Sequence, residues 1–230
     1  MNVLTVTGLE VISKIAFSDF AVPATGLTLI HTGREHAATS LSMTLAGRMK
    51  PRRGTITLTT SNNQAYTSTR HRFQRIALAG VTEIDNLERL VTVRTVIREQ
   101  AAWHQPWWKP TPRSIDDIPY YTTVAELFGF TMPNTKARTT LVGELDTLSR
   151  LMLRIVLAIM SRPTASVLIV DDIDQLRSMV LRKKLLLKLQ KYAQTTPVIA
   201  MSVNPDYTHL CDHSIIAASS ANHVQAVTPR

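Results

Sequence analysis

Leu27-Thr28-Leu29-Ile30-His31-Thr32-Gly33-Arg34-Glu35-His36-Ala37-Ala38-Thr39-Ser40 carries the reading that decides the fold. Behind Gly26, the apolar run Leu27 to Ile30 suits a strand buried on both faces of a mixed or parallel sheet. A polar loop from His31 to Ala38 follows, and then Leu41, Thr44, Leu45 and Met49 recur at helical spacing. The order is strand, loop, helix. Such a junction surrounds the loop with backbone amides and a helix N-terminus, an arrangement that holds phosphate.

Upstream, Val3 to Val6, Leu9 to Ile12 and Phe17 to Val22 interleave apolar and polar residues, which predicts an antiparallel entry sheet. Downstream, Pro51 to Gly54 make a turn and Thr55 to Thr59 a β-branched strand. Arg75 to Val81 is a further strand. Helical spacing then covers Asn86 to Gln100, Thr123 to Phe130, Leu145 to Met160 and the basic stretch Gln175 to Tyr192. Ser166 to Val170, Pro197 to Val203 and Ser214 to Ala218 are strands between or after them. Buried strands alternating with helices argue for an α/β domain carrying an inserted helical subdomain. The expected division is 1–83 for the first part of the core, 84–150 for the helical subdomain and 151–230 for the rest of the core.

A hydrophobic fraction of 44% over 230 residues supplies a sizeable core. The longest apolar stretch, Leu151 to Met160, is bounded and interrupted by Arg150, Arg154 and Arg162, so no segment is expected to cross a bilayer. Met1 to Gly8 lacks the pattern of a signal peptide, and Cys211 is the single cysteine; both fit a reducing cytoplasm. The net charge of +9 attracts phosphate-rich surfaces. Its cations are scattered from Arg34 to Arg230, which favours a solvated surface over a nucleic-acid face.

The stretch after the loop, Leu45-Ala46-Gly47 and then Pro51 to Gly54 before Thr55-Ile56, resembles the segment behind the phosphate loop of ABC transporter ATPases. The resemblance resumes in register at Gly143 to Met160, Ser161-Arg162-Pro163 and Val167-Leu168-Ile169-Val170-Asp171-Asp172. These are similar to that family's signature helix, the turn after it and its Walker B strand. It implies a P-loop NTPase-like fold with a mixed core sheet, an antiparallel β subdomain and a helical subdomain. It also implies ATP with magnesium as cofactor, Thr32, Gly33, Ala38, Thr39 and Ser40 against the nucleotide, Thr39 and Asp171 on magnesium, and Asp172 in place of the catalytic glutamate. Thr39 and Ser40 have a second reading as helix caps, and both readings stay open here.

The chemical motifs depart from the family. Ala38 stands where the phosphate-gripping lysine is expected, and Ala37 where the glycine before it is expected. Thr147 to Leu151 lacks the signature glycines, Val203 replaces the switch histidine, and no glutamine lies near Ala79 to Glu83. ATP hydrolysis depends on electrostatic stabilisation of the transferring phosphoryl group, so these losses fall on one reaction. The expectation is a degenerate member with an eroded Walker A motif that acts through a membrane partner at the inner face of the cell membrane and binds ATP and magnesium weakly or not at all. An active ATPase and a basic nucleic-acid-binding protein are the alternatives.

The segment from Trp103 to Pro119 holds all three tryptophans and is dense in proline, which predicts a loop-like insert. Trp103, Trp107, Trp108, Tyr120 and Tyr121 are candidate anchors for an integral membrane protein, since large rings dominate interface centres. The alternative is that these rings cover the subdomain's own core. The resemblance adds pairing with a second copy or with another ABC subunit. The stripe Leu181, Leu185 and Leu189 in the basic helix is expected on the sheet, not on a membrane surface.

Overall fold

The computed structural model describes residues 1–12, 15–32, 35–82, 84–103, 105–205, 209–217 and 219–221. The chain opens with β1 (Asn2–Glu10), β2 (Ile15–Phe17) and β3 (Phe20–Pro23), and the last two run antiparallel to β1. Gly8 does not divide β1 as the sequence suggests. At φ +58° it accommodates an irregularity, and the register against the later strand β5 shifts between Thr7 and Glu10. Next come β4 (Leu27–His31), α1 (Glu35–Leu45), β5 (Arg53–Thr59) and β6 (Ala65–Tyr66). α2 (Thr69–Arg75) is a short helix whose polar sequence carries no apolar periodicity; its start is fixed by the Ser68 hydroxyl, which accepts from His71 N at 3.2 Å.

β7 (Ile76–Ala79) leads into the helical region, α3 (Val93–Ala102), α4 (Pro119–Phe128), α5 (Asn134–Ala137) and α6 (Thr147–Met160). The helix expected from Asn86 begins only at Val93, because Thr92 caps it there by accepting from Thr95 N at 3.3 Å. β8 (Val167–Val170), α7 (Met179–Tyr192), β9 (Val198–Ser202), β10 (His213–Ile216) and β11 (Ser219–Ala221) complete the order.

The expected core sheet and antiparallel β subdomain are both present, and the described strands of the core sheet are all parallel where the sequence predicts a mixed one. β10-β4-β9-β8-β7 are all parallel, whereas β11-β2-β1-β5-β6 with β3 beside β1 are antiparallel. β7 and β8 are apolar throughout and β4 and β9 nearly so, yet their side chains alternate between two cores. Ile30, Leu78, Ile169 and Met201 join α1 and the antiparallel sheet, through residues such as Leu41, Leu45, Val6 and Ile56. Leu29, Ala79, Val170 and Ala200 face the helices, where the whole run Leu151 to Met160 of α6 is buried. Each Leu or Ile so covered contributes about 1.5–3 kcal/mol. In α7, Leu185 and Leu189 are buried and Leu181 half-buried, so the apolar stripe faces inward as expected. Among the described residues no helix is long and apolar enough to cross a membrane.

Gly80, just beyond β7, sits at φ +93°, and a Cβ there would lie 2.2 Å from the Asp171 carbonyl oxygen at the end of β8. Gly80→Ala combines a left-handed-region penalty with a backbone clash and is expected to cost about 3 kcal/mol in urea unfolding. A change within ~0.5 kcal/mol would show that the two strand ends separate freely.

Candidate functional site

The carboxyl ends of β4, β8 and β9 and the first turns of α1 enclose a cleft of ≈ 140 Å³ lined by Ala38, Thr39, Gly80, Asp171, Asp172 and Ser202 among others. Thr39 Oγ1 donates to Asp171 Oδ2 at 2.8 Å, across 132 residues of sequence. Asp171 is fully buried, and its Oδ1 has no hydrogen-bond partner. An orphaned buried carboxylate oxygen beside a threonine hydroxyl is a donor set that suits magnesium, which takes oxygen ligands. Burial pushes the Asp171 carboxyl above the usual carboxylate range, and the hydrogen bond from Thr39 opposes that rise.

The phosphate half of the cleft does not fit in the same way. α1 already begins at Glu35, so Ala37 and Ala38 are helical and not part of a loop. Alanine is the best helix former, and with glycine absent from both positions the helix extends back toward the strand. Thr39 and Ser40 therefore lie inside α1 and do not cap it, which corrects that reading. Ala37 and Ala38 pack into the core at 1% and 4% exposure, and no lysine or arginine is among the described lining residues. Among the described lining residues a triphosphate would meet carboxylates and no lysine or arginine.

Of the residues singled out in the sequence, Ala38, Thr39, Asp171 and Asp172 line this cleft. Thr32 is buried beside it, with its amide donating to Ser202 O at 3.2 Å, and Ser40 turns back into α1, where its carbonyl accepts from Thr44 Oγ1 at 2.6 Å. Gly33 lies outside the described residues. Asp172 adopts the left-handed conformation, φ +45° and ψ +59°, and its carbonyl accepts from Gln175 Nε2 at 2.8 Å.

Asp174 organises the far wall. Its Oδ2 accepts from Ser202 Oγ at 2.8 Å and Val203 N at 2.7 Å, and its Oδ1 accepts from Asn204 Nδ2 and Arg182 Nη2, each at 2.9 Å. Val203 itself presents its carbonyl to His31 Nε2 at 2.8 Å, so an imidazole from the neighbouring strand reaches the position where the sequence shows valine. A second pair, buried Arg154 with half-buried Asp85, links α6 to the Gly80 amide, which donates to Asp85 Oδ2 at 2.7 Å. Arg154 Nη1 also reaches Gln175 Oε1 at 3.2 Å.

At the start of α6, where the sequence lacks the signature glycines, the Asp146 carboxylate accepts from Ser149 N at 3.0 Å and from Ser149 Oγ at 2.5 Å. The hydrogen bond from the Ser149 hydroxyl holds the Asp146 carboxyl below its usual range, so the helix end carries its own negative charge at neutral pH. The tryptophans stand apart from the cleft. Trp103, Trp107 and Trp108 are 84%, 92% and 71% exposed, with the last two rings edge to face at 5.9 Å. Tyr121 is instead buried in the helical core, and Tyr120 is half-buried.

No family model and no curated protein matches the sequence. Solved structures do match the fold. CbiO1 from Clostridium perfringens, part of the ABC transporter complex CbiONQ, aligns at a TM-score of 0.71 and 14% identity over 95% of this chain and 87% of its own. The ABC transporter ATP-binding cassette MJ1267 in its ADP conformation gives 0.68 and 14% over 96% and 90%. A putative ABC transporter ATP-binding protein from Pyrococcus furiosus gives 0.66 and 14% over 93% and 96%. The chain thus has the α/β fold of ABC ATP-binding cassettes, with its parallel and antiparallel sheets.

Asp171→Asn tests the buried carboxylate. With its folded pKa raised, Asp171 binds protons more readily in the folded than in the unfolded chain, so its burial costs stability as pH rises through the unfolded and then the folded value. The variant is expected to melt a few °C higher at pH 7, about what ~1 kcal/mol gives a chain of this size, with the gain vanishing in acid below the unfolded pKa. An unchanged or lower melting temperature at pH 7 refutes that account.

Proposed function

We propose that this chain is an ABC-type ATP-binding-like subunit that has largely given up hydrolysis and works by associating with an integral membrane protein in a transport or envelope complex, at the inner face of the cell membrane. The carrying observation is the cleft itself, in which Ala37 and Ala38 are built into α1 and no described lining residue is a cation. Phosphoryl transfer draws on fixed positive charge and aimed amides, and removing a single such donor typically costs about 10²–10³ in rate. The Asp146 carboxylate at the start of α6 acts in the same direction, since it would repel a phosphate presented by a second subunit. CbiO1 is part of an ABC transporter complex, and the exposed tryptophans give this chain a surface for a comparable association.

Thr39 and Asp171 support a second reading, an active ATPase, because a magnesium held between them would supply the positive charge that no described lining residue of the cleft provides. Where magnesium is bound, Thr39 and Asp171 would hold it and Asp172 would orient a water.

Calorimetric titration with ATP and magnesium, together with phosphate release, separates the two. The expected outcome is no saturable binding at ~100 μM nucleotide and turnover about 10²-fold or more below that of an intact cassette. Ala38→Lys is expected to strengthen ATP binding about tenfold, ~1.4 kcal/mol. Rapid turnover abolished by Asp171→Ala and by Asp172→Ala would replace the proposal with the active-enzyme reading.

A further inference from the structure

α7 packs one stripe into the core, where Leu185, Leu186 and Leu189 are buried, and turns its other side outward. On that outer side Val180 and Leu187 are 64% and 46% exposed, with Met179 also exposed at the helix start. Lys183, Lys184 and Lys191 are exposed as well. Val180, Lys184, Leu187 and Lys191 follow one another at intervals of four, three and four, and Lys183 lies three after Val180 and four before Leu187. The two apolar side chains, about 10 Å apart along the axis, therefore form a narrow outer seam with lysines on both flanks.

The seam lies in a stretch without acids. From Gln175 to Pro205 the sequence has no aspartate or glutamate, and six of the 26 lysines and arginines fall between Arg177 and Lys191. Two of the six are committed: Arg182 pairs with Asp174 at 2.9 Å, and Lys188 Nζ donates to the Phe128 carbonyl at 2.6 Å. Arg177, Lys183, Lys184 and Lys191 have no ion pair among the described residues. Their charge faces solvent around apolar side chains that the fold leaves uncovered.

We propose that this face of α7 seats directly on an anionic lipid bilayer. Val180 and Leu187 enter the headgroup layer, while Lys183, Lys184 and Lys191 lay their stems beside them and place their ammonium groups on lipid phosphates. Each lysine facing an anionic leaflet multiplies affinity about fivefold, so several weak contacts add up. Other occupants fit less well. A second copy would set lysine against lysine, and a nucleic-acid backbone would bring phosphate against the apolar seam that runs between the cations. Three exposed apolar side chains are also few beside the roughly 20–30 residues a side of a specific protein interface. The inference goes beyond the partnership proposed above, since the chain touches lipid itself, with neither a nucleotide nor a membrane protein present.

The test is sedimentation of the purified full chain with vesicles of phosphatidylcholine, either alone or with about 30% phosphatidylglycerol. Binding is expected only to the mixed vesicles, and raising salt from about 0.1 M to about 0.5 M should weaken it about tenfold or more. Lys183→Gln/Lys184→Gln/Lys191→Gln should weaken it about a hundredfold. Lys50→Gln/Arg70→Gln/Lys136→Gln, which removes equal charge from exposed positions elsewhere, should leave it within about twofold. Val180→Ser/Leu187→Ser should weaken it about tenfold at either salt concentration, and circular dichroism confirms that each variant is folded. Equal binding to phosphatidylcholine vesicles, no binding to the mixed vesicles, or unchanged binding by the lysine variant or the seam variant would overturn the proposal. So would displacement from the vesicles by duplex DNA or by polyglutamate at equal charge, which would assign the face to a nucleic acid or to an acidic protein. Neither ATP nor a membrane protein is added, so a failure here leaves the proposed function standing.

Discussion

A parallel sheet tolerates water on neither face, and that constraint organises the molecule. β4, β7, β8 and β9 are apolar at almost every position, so each face needs its own cover. One face receives α1 and the antiparallel sheet, and the other receives α6 with the helices around it. Both covers are long-range structures, assembled from segments distant in sequence. The site then follows from geometry, since the carboxyl ends of the parallel strands are the one edge where polar side chains from several strands converge.

That edge is held by buried polar groups in place of packing. Asp174 joins the loop after β8, the turn after β9 and Arg182 of α7 in a single cluster. Asp85 and Arg154 do the same for the loop after β7 and for α6. Such clusters cost desolvation, and they hold because nearly every acceptor is used. The orphaned Oδ1 of Asp171 is therefore conspicuous: the surroundings satisfy other carboxylates at this edge and leave that atom for something else.

Much of this was legible in the sequence. Leu27 to Ile30 and Val167 to Val170 read as buried strands because apolar runs that short have few other uses. Thr39 and Asp171 were paired only through the resemblance, as the loop hydroxyl and the Walker B aspartate, and the hydrogen bond between them brings the two together. What escaped was set by local chemistry without periodicity. α2 is polar throughout and depends on Ser68. The extension of α1 back to Glu35 follows from two alanines whose effect is visible only once the strand end is placed. Arg182 read as one of many surface cations, since a basic helix does not reveal which cation turns inward. Tyr121 read equally as an interface ring or a core ring and is a core ring, a choice the sequence leaves open because an aromatic residue serves either end equally well.

Every indole in the protein lies on the short stretch from Trp103 to Trp108, and all of them face solvent. Ultraviolet emission excited at the indole band is therefore a reporter of that one stretch. A blue shift on mixing with another molecule would signal dehydration there, while melting of the sheets would leave the spectrum almost unaltered.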